Sequence, residues 1–215
     1  MTAPPTPRPR RPLHPSTQTL VRRVLGGGGT PDHPLREVVV VDTETTGAGP
    51  GARLVELAAV HARDGVVLRE FQTLIHPGMR IPWNVIQVHG ITDAMVRNAP
   101  PARDALPAFL AFLGALPMVA HNASFDRGIL AGELTRAGIP SPGIPVYCTL
   151  RLARRAFPEA PNHKLGTLAQ FLSLGTQPAH RALADCRAAL GVLTACVGRL
   201  HGPALTAGHG PARIL

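Results

Sequence analysis

The chain has 215 residues, 45% of them hydrophobic and 16% charged, which is enough apolar material to bury a core and argues against global disorder. A formal charge of +9 suits a polyanionic partner, although Lys164 is the only lysine and the excess reflects a general preference for Arg. The longest apolar run, residues 108–120, is broken by Gly114 and Pro117 and falls short of the ~20 residues that span a bilayer, so no membrane role is expected.

Residues 1–35 read as a flexible arm. Proline recurs at positions 4, 5, 7, 9, 12 and 15, four glycines occupy 26–29, and five arginines face only Asp32, a composition that resists packing. Residues 36–200 form the globular part. The β-branched run 38–41 predicts a buried central strand. Strands at 54–62 and 66–75 follow, joined through Arg63-Asp64-Gly65 as a hairpin. A proline-interrupted stretch surrounds Trp83, and an apolar helix is expected at 104–113. A short strand at 118–121 leads into a helix at 124–137, with Ser124 as its cap. A last strand at 146–149 precedes helices at 150–156, 164–172 and 182–199. Three successive strands followed by strands alternating with helices give an α/β protein, a mixed sheet flanked by helices. The tail, 201–215, contains Gly and Pro and is expected to fray.

Cys148, Cys186 and Cys196 form an odd, scattered set that fits neither a disulfide framework nor a zinc site, and they read as small buried hydrophobes. The amino terminus lacks the apolar stretch of a secretory signal, so a cytoplasmic location is expected.

Three segments carry chemistry. In Asp42-Thr43-Glu44-Thr45-Thr46-Gly47, at the end of the valine strand, the two-residue strand period sends Asp42 and Glu44 to one side. Adjacent carboxylates repel, and a cation is the usual remedy. In His121-Asn122-Ala123-Ser124-Phe125-Asp126, Asp126 falls in the first turn of a helix. In His180-Arg181-Ala182-Leu183-Ala184-Asp185, residues five apart would lie ~140° from each other on one helix. The two converge only if His180 occupies the loop before the helix and Asp185 its first turn. Hard oxygen donors without cysteine suit Mg²⁺ or Mn²⁺ rather than zinc.

The ordered motifs DTETTG, HGITD, HNASFD and HRALAD resemble those of the DEDDh, or DnaQ-like, 3′→5′ exonucleases, among them the proofreading epsilon subunit of bacterial DNA polymerase III. The likeness runs from about residue 37 to 199. It implies a ribonuclease H-like fold with a five-stranded mixed β-sheet. Asp42, Glu44, Asp126 and Asp185 would be ligands to two divalent cations, ~3.5–4 Å apart in such sites. His180 would be the general base, a task suited to an imidazole at neutral pH. The product would be nucleoside 5′-monophosphates, released from nucleic acid 3′ ends, with DNA expected over RNA. The resemblance also suggests a substrate pocket made by Thr45, Thr46, His89, Asn122 and Phe125. A backbone N–H at the threonines would meet the terminal 3′-hydroxyl, and Phe125 would stack on a base. His89 can equally be a satisfied turn residue before Gly90. His14, His33, His61, His76, His163, His201 and His209 are expected to be structural or superficial.

Unlike epsilon subunits, the sequence has only some fifteen residues after its last helix, and neither tail contains a recognisable clamp-binding peptide. A DNA polymerase partner is therefore less well marked than the nuclease chemistry. Alternatives of the same fold are a ribonuclease T-like or oligoribonuclease-like RNA trimmer, and a non-catalytic polymerase-associated scaffold, which typically lacks one or more of the acids.

Overall fold

The computed structural model describes residues 35–49, 51–175, 180–200 and 212–213; the arm expected at 1–35 lies almost wholly outside the described residues. Among those residues the chain runs β1 (Glu37–Thr45), β2 (Leu54–Arg63), β3 (Val66–Leu74), α1 (Trp83–His89), α2 (Asp93–Val96), α3 (Ala102–Leu113) and β4 (Met118–Ala120). It continues through α4 (Ala123–Ala137), β5 (Pro145–Cys148), α5 (Thr149–Ala156), α6 (Leu165–Phe171), α7 (Ala182–Leu200) and β6 (Ala212–Arg213).

The five expected strands form one mixed sheet, in the order β3-β2-β1-β4-β5, with the two-residue β6 added at the β5 edge. Strand β1 is antiparallel to β2 and parallel to β4, and β4 is parallel to β5. The β6 pairing falls inside the tail expected to fray; the rest of that tail lies outside the described residues.

Alternation along β1 dictates which layer each side chain meets. Val39 and Val41 pack with Leu106 and Phe109 of α3 and Leu130 and Leu134 of α4. Val38 and Val40 pack with Ala182, Cys186, Ala189 and Leu193 of α7. The four valines are at most 2% exposed, so β1 is covered on both faces, as its unbroken β-branched run predicts. The hairpin closes on Asp64 and Gly65, both at positive φ, as expected of a two-residue turn matched to strand twist. Cys186 and Cys196 are buried and all three cysteines are free.

Two expectations need correction. The stretch around Trp83 is helical, as α1 and α2, with Pro82 and Thr92 at their caps; prolines placed before a helix start do not interrupt it. Ser124 does not cap α4. The helix begins one residue earlier, after Asn122 in a left-handed conformation, and Ser124 donates instead to Asn122 Oδ1 at 3.3 Å.

Among the described residues no helix is long and apolar enough to cross a membrane. Phe109 is 1% exposed, with its ring 6.0 Å from that of Phe71. Phe109→Ala should cost ~3–5 kcal/mol in urea unfolding, the usual range for a buried aromatic; a loss below ~1 kcal/mol would show that this side of the sheet is not held by that cluster.

Candidate active site

The alternation that buries the valines also sorts the acids. Asp42 and Glu44 continue the Val38–Val40 face, towards α7, and Asp185 in the first turn of α7 comes to meet them. One ligand atom from each of Asp42, Glu44 and Asp185 lies within 4.8 Å of the others. Thr43, on the opposite face, donates its hydroxyl to Asp126 Oδ1 of α4 at 2.9 Å. Asp126 thus approaches the same strand end from the other layer, beside the triad rather than within it. The regular β1–β2 register slips between Glu44 and Thr45, an irregularity of the sort that terminates pairing beside functional groups.

These carboxylates are held in an environment hostile to their charge. Burial, then the charges of Asp126, Asp185, Glu44 and Glu56, push Asp42 well above the carboxylate range. Glu44 is raised to about 8 by burial and by Asp185, Glu56 and Asp126, with Arg181 opposing. Asp126 is raised to about 7 by burial, against the hydrogen bond from Thr43. A donor set of clustered, charge-starved carboxylate oxygens fits a hard divalent cation, and Asp42, Glu44 and Asp185 are the residues placed to hold it.

His180 lies two residues before α7, in the loop position its spacing requires, exposed and with φ of 48°. His89 is 4% exposed; its Nδ1 accepts from Ile91 N at 2.9 Å and its Nε2 lies 3.3 Å from the Thr45 carbonyl. Both ring nitrogens are engaged within the protein, as in a satisfied turn residue. Burial above all, with the Arg181 charge behind it, keeps its pKa below the ordinary value, against the Thr45 carbonyl and the Glu56 charge.

Thr45 and Thr46 are buried at the strand end. The Thr46 N–H already donates to the Arg53 carbonyl at 2.9 Å, and the Thr46 hydroxyl accepts from Arg53 N at 3.0 Å, so this N–H is not free for a 3′-hydroxyl. Asn122 is exposed and Phe125 half-buried, immediately before Asp126, which leaves both accessible at the rim. His61, His76 and His163 make structural hydrogen bonds, to Glu37, Gly78 and the Phe157 carbonyl respectively.

Two residues of the site, Glu56 and its partner Arg181, were given no role by the sequence reading. Glu56, fully buried on β2, stands directly opposite Glu44. It accepts hydrogen bonds from Arg181 Nη2 at 2.8 Å, from Gln72 at 2.8 Å and from the Ala182 N–H at 3.0 Å. Burial opposes its ionisation, but these donors outweigh it and hold its pKa below the ordinary value. The available signal was a lone acid inside the apolar run Leu54-Val55-Glu56-Leu57-Ala58-Ala59-Val60, a position that demands a partner.

Residues 39–193 match the RNase T family model, described as Exonuclease. The chain belongs to this DnaQ-like exonuclease family. A protein of Mycobacterium tuberculosis named for exonuclease and endonuclease activities is 44% identical over 177 residues, covering 77% of this chain and 27% of the relative. A PolC-type DNA polymerase III of Bacillus cereus is 37% identical over 151 residues, covering 70% of this chain and 10% of the polymerase. The chain therefore spans about a quarter or less of these relatives. Exonuclease X, solved with 5′ overhanging duplex DNA, is similar with a TM-score of 0.62 and 30% identity over 74% of this chain and 90% of that one. Escherichia coli Exonuclease I, solved with a dA16 oligonucleotide, shares the fold at a TM-score of 0.63 and 18% identity, over 74% of this chain and 40% of that one.

Glu44 titrates near 4.5 when unperturbed and at about 8 in the folded, cation-free exonuclease domain. Folding therefore takes up protons across that window, and stability falls as pH rises from 4.5 through 8. A cation that binds only the folded site reverses the loss. Thermal melts with EDTA should show a lower Tm at pH 8 than at pH 6, and Mg²⁺ or Mn²⁺ should raise Tm more at pH 8. Equal cation-induced shifts at the two pH values would contradict the electrostatic reading.

Proposed function

We propose that this chain is a divalent-metal-dependent 3′→5′ exonuclease that hydrolyses the terminal phosphodiester of single-stranded or frayed DNA 3′ ends and releases nucleoside 5′-monophosphates. The observation that carries the reading is the convergence of Asp42, Glu44 and Asp185 within 4.8 Å, with Asp126 bonded to Thr43 between the first two and the exposed His180 two residues before the helix that carries Asp185. Mg²⁺ or Mn²⁺ held there, as a pair with Asp126 completing the ligand set, would activate a water and offset charge on the phosphate and the departing oxygen.

The residues divide the remaining work. Water attacks phosphorus in line with the 3′ oxygen of the penultimate nucleotide. His180 accepts the proton of that water, and its exposure lets it pass the proton to solvent. Phe125 offers a ring on which the terminal base stacks, and Asn122 is placed to contact the terminal nucleotide; the Thr45–Thr46 turn shapes the end of the slot. DNA is favoured because a relative of nearly the same extent, Exonuclease X, was solved with DNA and other relatives are DNA polymerases. Trimming of faulty 3′ ends in the cytoplasm, in proofreading beside a polymerase or in repair, fits this chemistry.

Digestion of 5′-labelled DNA and RNA strands of one sequence should give a Mg²⁺-dependent ladder of products shortened from the 3′ end, faster on DNA. A faster RNA ladder would make the chain an RNA trimmer, and no ladder on either would mark a scaffold. Asp42→Ala or Asp185→Ala should abolish cleavage and weaken cation binding in a folded protein. His180→Ala should slow turnover by ~10²–10⁴-fold with cation binding retained; wild-type turnover would remove His180 from the mechanism.

A further inference from the structure

His180 stands two residues before α7 on a backbone of unusual conformation. Its φ of 48° places a non-glycine residue in the left-handed region, a strained conformation that the surroundings must impose. The imposing group is visible on the carboxyl side. Arg181 grips Glu56 in a two-pronged fashion, Nη2 to Oε1 at 2.8 Å and Nε to Oε2 at 3.2 Å. The next residue, Ala182, donates its N–H to the same Oε2 at 3.0 Å. Arg181 has no side chain able to cap α7, so Glu56 caps the helix from β2, across 126 positions in the chain. The two residues that follow His180 are thereby pinned, Arg181 by its side chain and Ala182 by its amide.

The anchor point matters as much as the grip. Glu56 is the cross-strand partner of Glu44, and Asp42 pairs with Ala58 two positions on. The loop holding the imidazole is therefore tied to the same strand pair that presents the metal-ligating acids, and one rigid ladder sets both. Glu56 is fully buried and its oxygens are taken by Arg181, Gln72 and Ala182, so it serves this loop rather than a cation. Arg suits the task because its planar fork fixes direction, whereas a lysine ammonium supplies only charge.

We infer that Arg181, through its paired contact with Glu56, is a positioning residue that holds His180 in register with the acidic cluster. This inference rests on His180 being the general base. A merely structural ion pair would make the same contacts, and the two roles part in their coupling to His180.

The test compares wild type, Arg181→Met, His180→Ala and the double variant on a 5′-labelled single-stranded DNA at saturating Mn²⁺, with Tm and Mn²⁺ binding measured for each. Arg181→Met should lower kcat by about 10- to 100-fold, the scale of a ~1 Å misplacement, with KM and Mn²⁺ affinity near wild type. Arg181→Lys should recover part of the loss. In the His180→Ala background the Arg181 substitution should change kcat by less than about twofold, since residues acting through one group are not additive. An equal fractional loss in both backgrounds, or a loss confined to Tm, overturns the positioning role. Should methionine unfold the chain, Arg181→Lys, which keeps a cation for the buried carboxylate, supports the same four-way comparison. A wild-type rate for His180→Ala alone would instead refute the general-base reading, a separately readable result.

Discussion

Carboxylates crowded together at a half-buried strand end constitute the constraint on which the rest of this molecule turns. Asp42 and Glu44 share a face of β1 because a strand repeats every two residues, and α7 packs on that face because Val38 and Val40 are apolar. The packing that buries the valines thus carries Asp185 up to the other two acids. The core and the site are products of one pattern, and the cost of the crowded charges falls on a strand covered by a helical layer on each face, which is rigid enough to bear it.

The structure handles buried acids in two contrasting ways. Glu133 on α4 is 1% exposed, yet it is met by Arg53 at 2.7 Å and by the Leu54 N–H at 3.2 Å, and those donors keep it ionised against the pull of burial. Glu56 is satisfied similarly by Arg181. Among the described residues no arginine is bonded to Asp42 or Glu44, and the opposing charge of Arg181 leaves Glu44 at about 8. Glutamates 44 and 56 face each other across the same ladder, so the presence of one guanidinium separates a structural carboxylate from one awaiting a metal.

Much of this was legible in the linear sequence. The four signature acids and His180 lie in short motifs at the ends of predicted elements, and period-two and helical spacing were enough to place them. The mixed character of the sheet and its helical cover followed from the succession of strand, hairpin and alternating helices; the strand order β3-β2-β1-β4-β5 came from the structure. What could not be read depended on register and on distant partners. The Glu56–Arg181 pair needs the Glu44–Glu56 alignment and a contact across 125 positions. The engagement of the Thr46 amide needs the fold-back of residue 53. The start of α4 was misplaced because Asn122 takes a left-handed conformation, for which its short polar side chain is suited, while Ser124 only looked like the better cap.

Membership in the exonuclease family and the likeness to DNA-bound relatives agree with the chemistry implied by the site, but the physical claim beneath both is that a cation takes the place of protons on the acidic cluster. Calorimetric titration of Mn²⁺ into the protein at pH 7, repeated in buffers of different ionisation enthalpy, measures the protons displaced. With Glu44 raised to about 8 and Asp42 above its ordinary range, tight binding should release about one proton or more per site filled. Binding without proton release, or release unchanged when Glu44 is replaced by glutamine, would contradict it.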